Sequence, residues 1–407
     1  MKVIDGGITA AKGFEAAGAE AGIKYKNRMD MALIYSDSPC VSAGTFTSNL
    51  VKAAPVMWDK ELIESGRDVR AVVINAGIAN ACTGAPGYEI CRKTSDAAAE
   101  ALGIPADSVL VASTGVIGMQ MPMDKVAGGI KLLAASKKGD LASGTLASKA
   151  IMTTDTINKQ VAVSFEIDGV TVTMGGMCKG SGMIHPNMCT MLGFVTTDLA
   201  ISKELLVKAL KEDVVDTFNM ISVDGDTSTN DTLVVLANGQ AGNKEITKED
   251  ENYLKFKEAL HYINEYLAIK MAGDGEGATA LFACKVVNAA TKQDARVLAK
   301  SVIGSSLSKA AVFGHDANFG RFLCALGYSG AKFNPDAMEL FFEGGGKKML
   351  IFKDGIPADY SEEEAAQILS QPEVYVIADM KMGTETATAW GCDLSYDYVK
   401  INADYRS

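Results

Sequence analysis

The stretch Gly175-Gly-Met-Cys-Lys-Gly-Ser-Gly-Met-Ile-His-Pro-Asn-Met-Cys-Thr-Met-Leu-Gly-Phe194 puts four glycines, a lysine and a serine ahead of its proline. That density of glycine is too high for a helix and too irregular for a plain strand. It predicts a loop whose freed backbone amides can face a ligand. Just before it, Val161 to Met174 alternates β-branched and aromatic residues on either side of Asp168-Gly169, a pair that tolerates positive φ. This predicts a hairpin, so the glycine loop leaves a sheet edge. The competing reading is a tight loop in which glycine serves geometry alone.

Working outward, 407 residues predict two or three domains and a large core without disulfide staples. Hydrophobic residues make up 48% and charged residues 22%, and no apolar run approaches the roughly 18 residues of a membrane span. The start, Met1-Lys-Val-Ile-Asp-Gly-Gly, lacks the apolar core of a secretory signal, which predicts a cytoplasmic protein without a membrane partner. A net charge of -11 with no basic cluster argues against nucleic acid. Eight scattered cysteines, no CxxC and three histidines give no zinc pattern, so no metal is expected. Most of the cysteines should be small buried hydrophobes in a reducing compartment.

Upstream, Ala71 to Asn75 predicts a strand running into a small-residue turn, Asn75 to Gly84, followed by a helix from Tyr88 to Leu102 stopped by Gly103. Val109 to Ser113 predicts a buried strand ending in Thr114-Gly115. A hydroxyl followed by glycine at a strand end supplies a side-chain donor and an unobstructed N–H, the parts of an oxyanion hole, and is equally ordinary turn chemistry. Met123 to Lys137 and Gly144 to Ile151 predict helices, and Met152-Thr-Thr-Asp-Thr156 a Ser/Thr turn or helix cap.

Downstream, helices are expected over Leu205 to Met220 and from Thr247 to Met271, the latter with a Thr247/Asp250 cap and a Gly273 stop. Between them lies Val223-Asp-Gly-Asp-Thr-Ser-Thr-Asn-Asp231. Counted from Asp224 as a calcium loop, it has Thr229 and Val235 where glycine and glutamate are required, so calcium is rejected in favour of Asx turns and caps. Glu276, set between glycines, can point into a cleft or simply be solvated. From about residue 280, strands alternating with capped helices predict a smaller C-terminal α/β domain. It runs from Leu281 to Val287, through a helix from Thr291 to Val302 and one capped by Ser361 with Glu364, to Thr384 to Trp390.

Pro186-Asn-Met-Cys-Thr-Met-Leu192 resembles the ornithine acetyltransferase family, also called glutamate N-acetyltransferases, whose members cut their own backbone before a threonine in this setting. Further strings are similar to the same family. Ser113 to Gly118 matches its oxyanion loop, Met152 to Thr156 a substrate-site turn, and Val223 to Asp231 a hallmark string. Gly273 to Thr279, Phe313 to Arg321 and the C-terminal Tyr398 to Ser407 also match. The chain departs from the family's commoner residues at Ala76, Ile78, Cys189, Ala280, Phe319 and Ser407.

The resemblance implies a layered α-β-β-α sandwich and self-cleavage between Cys189 and Thr190 into an alpha chain, 1–189, and a beta chain, 190–407, associated as two of each. It implies transfer of the acetyl group of N2-acetylornithine to glutamate in arginine biosynthesis, through an acetyl-threonine at the nucleophile Thr190, with no cofactor. Whether acetyl-CoA also serves as donor stays open. It further implies Thr114 and Gly115 as the oxyanion hole, and Thr153, Lys179, Thr190, Glu276, Asn402 and Ser407 as substrate-binding residues. The chemistry is coherent without histidine. Cleavage liberates an α-amino group on the residue that carries Oγ1, and its reference pKa of about 7.7 to 8.0 suits it as the base. Lys179 then suits a substrate carboxylate and Glu276 the ornithine ammonium, while His185 is read as a loop residue. Three other readings remain: a related self-cleaving aminopeptidase, Cys178 or Cys189 as nucleophile, and a phosphate cradle at Lys179. The last does not fit the spacing of a P-loop.

Overall fold

The computed structural model describes residues 1–185 and 191–404. They fall into two compact units, one comprising Met1–Gly180, Pro186–Phe218 and Thr227–Leu267, the other Ser181–His185, Asn219–Asp226 and Ala268–Ser407. The second unit thus starts at Ala268, earlier than the sequence suggests, and takes in two short upstream segments.

The first unit contains β1 (Lys2–Ile4), β2 (Phe14–Ala19), β3 (Met31–Phe46), β4 (Val69–Ile78), β5 (Val109–Val116), β6 (Lys159–Ile167), β7 (Val170–Lys179) and β8 (Leu192–Thr197). After β9 (Ile221–Ser222), which belongs to the second unit, the first unit is completed by β10 (Thr232–Ala237). They hydrogen-bond in the order β1-β6-β7-β8-β10-β3-β4-β5, with β2 on the side of β3. The hairpin forms where the alternation places it. Asp168 and Gly169 sit at φ 49° and 81° between β6 and β7, a pair whose positive φ matches the twist of the flanking strands.

The glycine stretch differs from its expected loop, because β7 runs on to Lys179. Gly175 and Gly176 belong to the strand, and their lack of a side chain answers to neighbours on the sheet faces. A Cβ on Gly175 would lie 1.9 Å from the Gly7 carbonyl oxygen, and one on Gly176 2.8 Å from Ile263. Close approach, rather than loop conformation, is what these glycines serve. Likewise β4 extends through Asn75 to Ile78 and β5 through Thr114 to Val116, because the two strands stay paired in parallel to their ends.

Helices α1 (Ala54–Glu64), α2 (Gly84–Leu102), α3 (Met123–Ser136) and α4 (Leu141–Ala150) cover the sheet. Alternate residues of the strands divide between the two faces. Val72 and Ile74 pack with Leu62, Ile63, Ala147 and Ala150. Ala71 and Val73 pack instead with Ala98, Val126, Ile130 and Leu133. Gly103, at φ 68°, ends α2 as the sequence predicts.

Helix α5 (Lys203–Asp213) is shorter than its apolar pattern, since Thr217 donates to the Asp213 carbonyl and the chain turns into a 3-10 segment at Phe218–Met220. In α6 (Glu251–Gly273) the cap is Asp250 rather than Thr247, its Oδ1 accepting from the N–H groups of Asn252 and Tyr253 at 3.1 and 3.2 Å.

The second unit holds a sheet ordered β14-β13-β12-β15-β11-β16-β9, built from β11 (Leu281–Ala289), β12 (Glu339–Gly344), β13 (Lys347–Lys353), β14 (Ile356–Pro357), β15 (Glu373–Asp379) and β16 (Glu385–Cys392). It is mixed, with β11 parallel to β15 and antiparallel to β16. Helices α7 (Lys292–Gly304), α8 (Ser306–Phe313), α9 (Phe319–Gly327), α10 (Glu362–Leu369) and α11 (Tyr396–Ala403) complete it. Thr291 and Ser361 cap α7 and α10 as predicted. Phe322 packs edge-on against Phe282 and Phe342, with ring centres 6.0 and 5.3 Å apart. The α/β class expected from the sequence is the class observed.

Candidate active site

Thr190, Cys189 and Ser407 lie outside the described residues, but the strand that follows the first two is placed. At its first residue, Leu192, β8 is flanked by Lys179 of β7 on one side and Thr232 of β10 on the other. Lys179 is 7% exposed, and its Nζ donates to Thr114 Oγ1 at 3.4 Å. The two residues picked from separate strings are therefore neighbours. Gly115, beside Thr114, has φ 129° and faces Gly77 across β4. A Cβ there would lie 2.2 Å from the Gly77 carbonyl carbon.

Thr153 joins this group through a residue that sequence reasoning passed over. Asp155 accepts from the Thr153 N–H at 3.0 Å, from the Gly180 N–H at 2.7 Å and from Lys159 Nζ at 2.8 Å. Arg28 Nη2 donates to the Met152 and Thr153 carbonyls, both at 2.7 Å, and pins the same turn. Burial works to raise the Asp155 pKa. The charges of Lys179 and Lys159, with the hydrogen bonds from Lys159 and Gly180, outweigh it and bring the pKa down from 3.8 to about 2. In sequence Asp155 was only one member of a hydroxyl-rich turn.

The Lys159 and Asp155 side chains are both 0% exposed, so each charge depends on the other. Asp155→Asn should remove a negative charge that offsets the buried ammonium groups of Lys159 and Lys179 and cost about 3 kcal/mol of stability. With its folded pKa below its unfolded one, Asp155 contributes stability present above pH ~4 and lost as the pH falls toward 2, about 2 kcal/mol. Denaturant titrations at pH 7, 4 and 2.5 check both figures. If the variant matches wild type at pH 7, the paired-charge account is wrong.

Two more residues of the first unit come from the acidic loop. Asn230 Nδ2 donates to the Ala79 and Ser113 carbonyls at 2.6 and 2.8 Å, tying the loop to the ends of β4 and β5. Asp231 is 1% exposed, and neither carboxylate oxygen has a hydrogen-bond partner among the described residues. The only signal for either in the sequence was membership of the Val223 to Asp231 string.

In the second unit, Glu276 is 6% exposed and its Oε2 accepts from Asn402 Nδ2 at 2.8 Å, so two predicted substrate residues meet. Glu276 N–H donates to the Ser181 carbonyl at 2.9 Å. Asp224 accepts from the Met183 and Ile184 N–H groups at 2.6 and 2.9 Å and from the Tyr398 hydroxyl at 3.2 Å. It thereby fixes the backbone two residues ahead of Pro186. His185 shares a hydrogen bond with Ser222 Oγ at 2.9 Å; burial, then the Lys300 charge, lowers its pKa to about 4 and keeps it neutral at pH 7. Among the described residues no group of three or more His, Cys, Asp or Glu side chains could hold a metal, and no helix is long and apolar enough to cross a membrane. Cys178 is buried in β7, its thiol 3.7 Å from the Leu267 carbonyl.

A model of the ArgJ family matches residues 15–407. The chain belongs to the ArgJ family. It is 52% identical over 409 residues to the arginine biosynthesis bifunctional protein ArgJ of Symbiobacterium thermophilum, covering 100% of both chains. It is 51% identical over 401 residues to ArgJ 1 of Clostridium acetobutylicum, covering 98% of this chain and 97% of that one. A crystal structure of ornithine acetyltransferase with ornithine, from Mycobacterium tuberculosis, is 44% identical and covers 46% of this chain and 98% of that chain, with a TM-score of 0.42. ArgJ proteins are acyltransferases of arginine biosynthesis, and this chain is one of them.

Proposed function

We propose that this ArgJ protein moves an acetyl group from N2-acetylornithine to glutamate through an acetyl ester on Thr190, after cutting its own backbone between Cys189 and Thr190. The hydrogen bond from Lys179 to Thr114 carries the reading. By accepting from an ammonium, Thr114 Oγ1 keeps its own proton for a donor role, and the ammonium polarises that O–H. A hydroxyl so arranged suits an oxyanion that forms twice per cycle, once when Thr190 attacks the donor and once when glutamate attacks the ester. Gly115 would add its N–H beside it. Ornithine leaves after the first step and N-acetylglutamate after the second. The α-amino group of Thr190 takes the Oγ1 proton and returns it to the leaving amine.

In this reading Lys179 and Thr153 serve a substrate carboxylate, and Glu276 with Asn402 serves the ornithine ammonium. Ser407 completes the substrate contacts. The alpha and beta fragments stay together in the cytoplasm, two of each, and no cofactor is required. Acetyl-CoA as a second donor is the bifunctional form of the same chemistry. Glutamate acetylation supplied with acetyl-CoA alone decides it.

The test of the main reading is acetyl exchange between N2-acetylornithine and glutamate, run beside peptide hydrolysis and a denaturing gel. Exchange with two bands supports it. Hydrolysis without exchange would instead make the protein an aminopeptidase.

A second expectation concerns Glu276. A Cβ on Gly182 would sit 2.3 to 2.6 Å from the Glu276 carboxylate, the movable end of a side chain. Gly182→Ala should therefore leave the melting temperature within about 2 °C of wild type and displace the carboxylate, raising KM for N2-acetylornithine about tenfold or more. An unchanged KM would remove Glu276 from the substrate contacts.

A further inference from the structure

Asp393 takes no part in the chemistry just described, yet it is 3% exposed and three donors converge on it. Its Oδ1 accepts from the N–H groups of Thr279 and Ala280 at 2.8 and 3.1 Å, and its Oδ2 from the Thr279 hydroxyl at 2.5 Å. Thr279 and Ala280 end the loop Gly273-Asp-Gly-Glu-Gly-Ala-Thr-Ala280, in which Glu276 stands between glycines. Such a loop is too pliant to hold a carboxylate by its own stiffness, so the position of Glu276 has to be imposed from outside. The frame that imposes it is the sheet of the second unit. Asp393 follows the last residue of β16, Cys392, which pairs with Leu281 at the start of β11. Lys309 of α8, also 3% exposed, grips both flanks of Asp393: its Nζ donates to the Cys392 carbonyl, and its own carbonyl accepts from the Leu394 N–H at 3.3 Å. A little further on, Ser395 Oγ donates to the Gly277 carbonyl at 2.5 Å. Gly277, at φ 71°, lies so close to α11 that a Cβ there would meet the Tyr398 nitrogen at 2.6 Å. On the other side of Glu276, the Ser181 hydroxyl donates to the Asp274 carbonyl at 2.6 Å.

We propose that Asp393 is a positioning residue that sets donor chain length: by tying the Thr279–Ala280 end of the loop to the sheet, it fixes how far the Glu276 carboxylate reaches, and so selects the ammonium of an ornithine side chain over that of a longer one. The inference rests on the reading that Glu276 takes the ornithine ammonium, and goes beyond it by naming what holds the distance. One extra methylene lengthens a donor by about 1.3 Å, given a C–C bond of about 1.5 Å. A carboxylate held to well within that distance rejects the longer amine; one on a slack loop accepts both. Asp393 acts only through Glu276.

The experiment compares N2-acetylornithine with N2-acetyllysine, one methylene longer, as donors to glutamate in the full-length protein. Wild type should favour the shorter donor about tenfold or more in kcat/KM. Asp393→Ala should raise KM for N2-acetylornithine about tenfold and lower that preference about fivefold or more, while KM for glutamate stays within about twofold of wild type. Asp393→Asn keeps an oxygen for the Thr279 and Ala280 N–H groups and should recover most of the preference. Thr279→Val removes only the hydroxyl tie and decides the matter where Asp393→Ala does not fold; it should lower the preference about threefold. A folded Asp393→Ala protein with the wild-type preference overturns the proposal. So does a loss shared equally by both donors and glutamate, which would make the residue structural. If Asp393→Ala does not fold, an unchanged preference in Thr279→Val overturns it, and so does a wild type that uses both donors equally. Glu276→Gln separates this from the reading underneath: an unchanged KM for N2-acetylornithine in that variant is the failure of the substrate reading, and the proposal falls with it.

Discussion

Thr190→Ala is expected to yield one full-length band on a denaturing gel, where wild type gives two of similar size, and to lower acetyl exchange at least a thousandfold. Both losses follow from one hydroxyl. It attacks the Cys189 carbonyl during maturation and the acetyl carbonyl during turnover, and removing a nucleophile removes the covalent route altogether. Cys189→Ala serves as the control. The nucleophile position and its neighbours on β8 are untouched, so this variant should still give two bands and still transfer. If it fails to cleave, the cysteine becomes the stronger candidate. An active wild-type preparation intact between 189 and 190 would end the proposed activation.

Gly115→Ala should have the largest effect on stability. At φ 129° an L residue is strained, and the added Cβ would meet the Gly77 carbonyl carbon, oxygen and Cα at 2.2, 2.4 and 2.6 Å. These are backbone atoms of a paired strand and cannot rotate away. Accommodation must come from separating β4 and β5, which should cost more than about 3 kcal/mol, or roughly 6 to 12 °C in Tm for a unit of this size. Exchange activity should fall with it, because Thr114 moves with the strand. Gly118→Ala is the comparison. That residue also has positive φ, 84°, but nothing lies within 4 Å of its Cβ, so backbone strain of about 1 kcal/mol is all that is expected. Equal melting temperatures for the two variants would show that the approach of Gly77 is not what demands glycine.

Local patterns determined a good deal by themselves. The Asp168-Gly169 turn, the Gly103 stop and the Thr291 and Ser361 caps are properties of a few adjacent residues, and they hold in the structure. Thr114-Gly115 and Glu276 are singled out by the family resemblance, since the residues alone fit ordinary turn chemistry and a solvated loop acid equally well. What only the tertiary structure decided are matters of distance between remote segments. Gly175 pairs with Ala162 and Thr196 in the sheet, and it is glycine because the Gly7 carbonyl, far away in the chain, presses on it. Asp155 stands out only when Gly180, 25 residues on, donates to it and Lys159 is buried beside it. Asp231 is one acid in a string read as Asx turns and caps, and only the fold shows it buried, at 1% exposure. A carboxylate's role is set by which charges and donors share its low-dielectric surroundings, and the order of residues along a chain does not record that company.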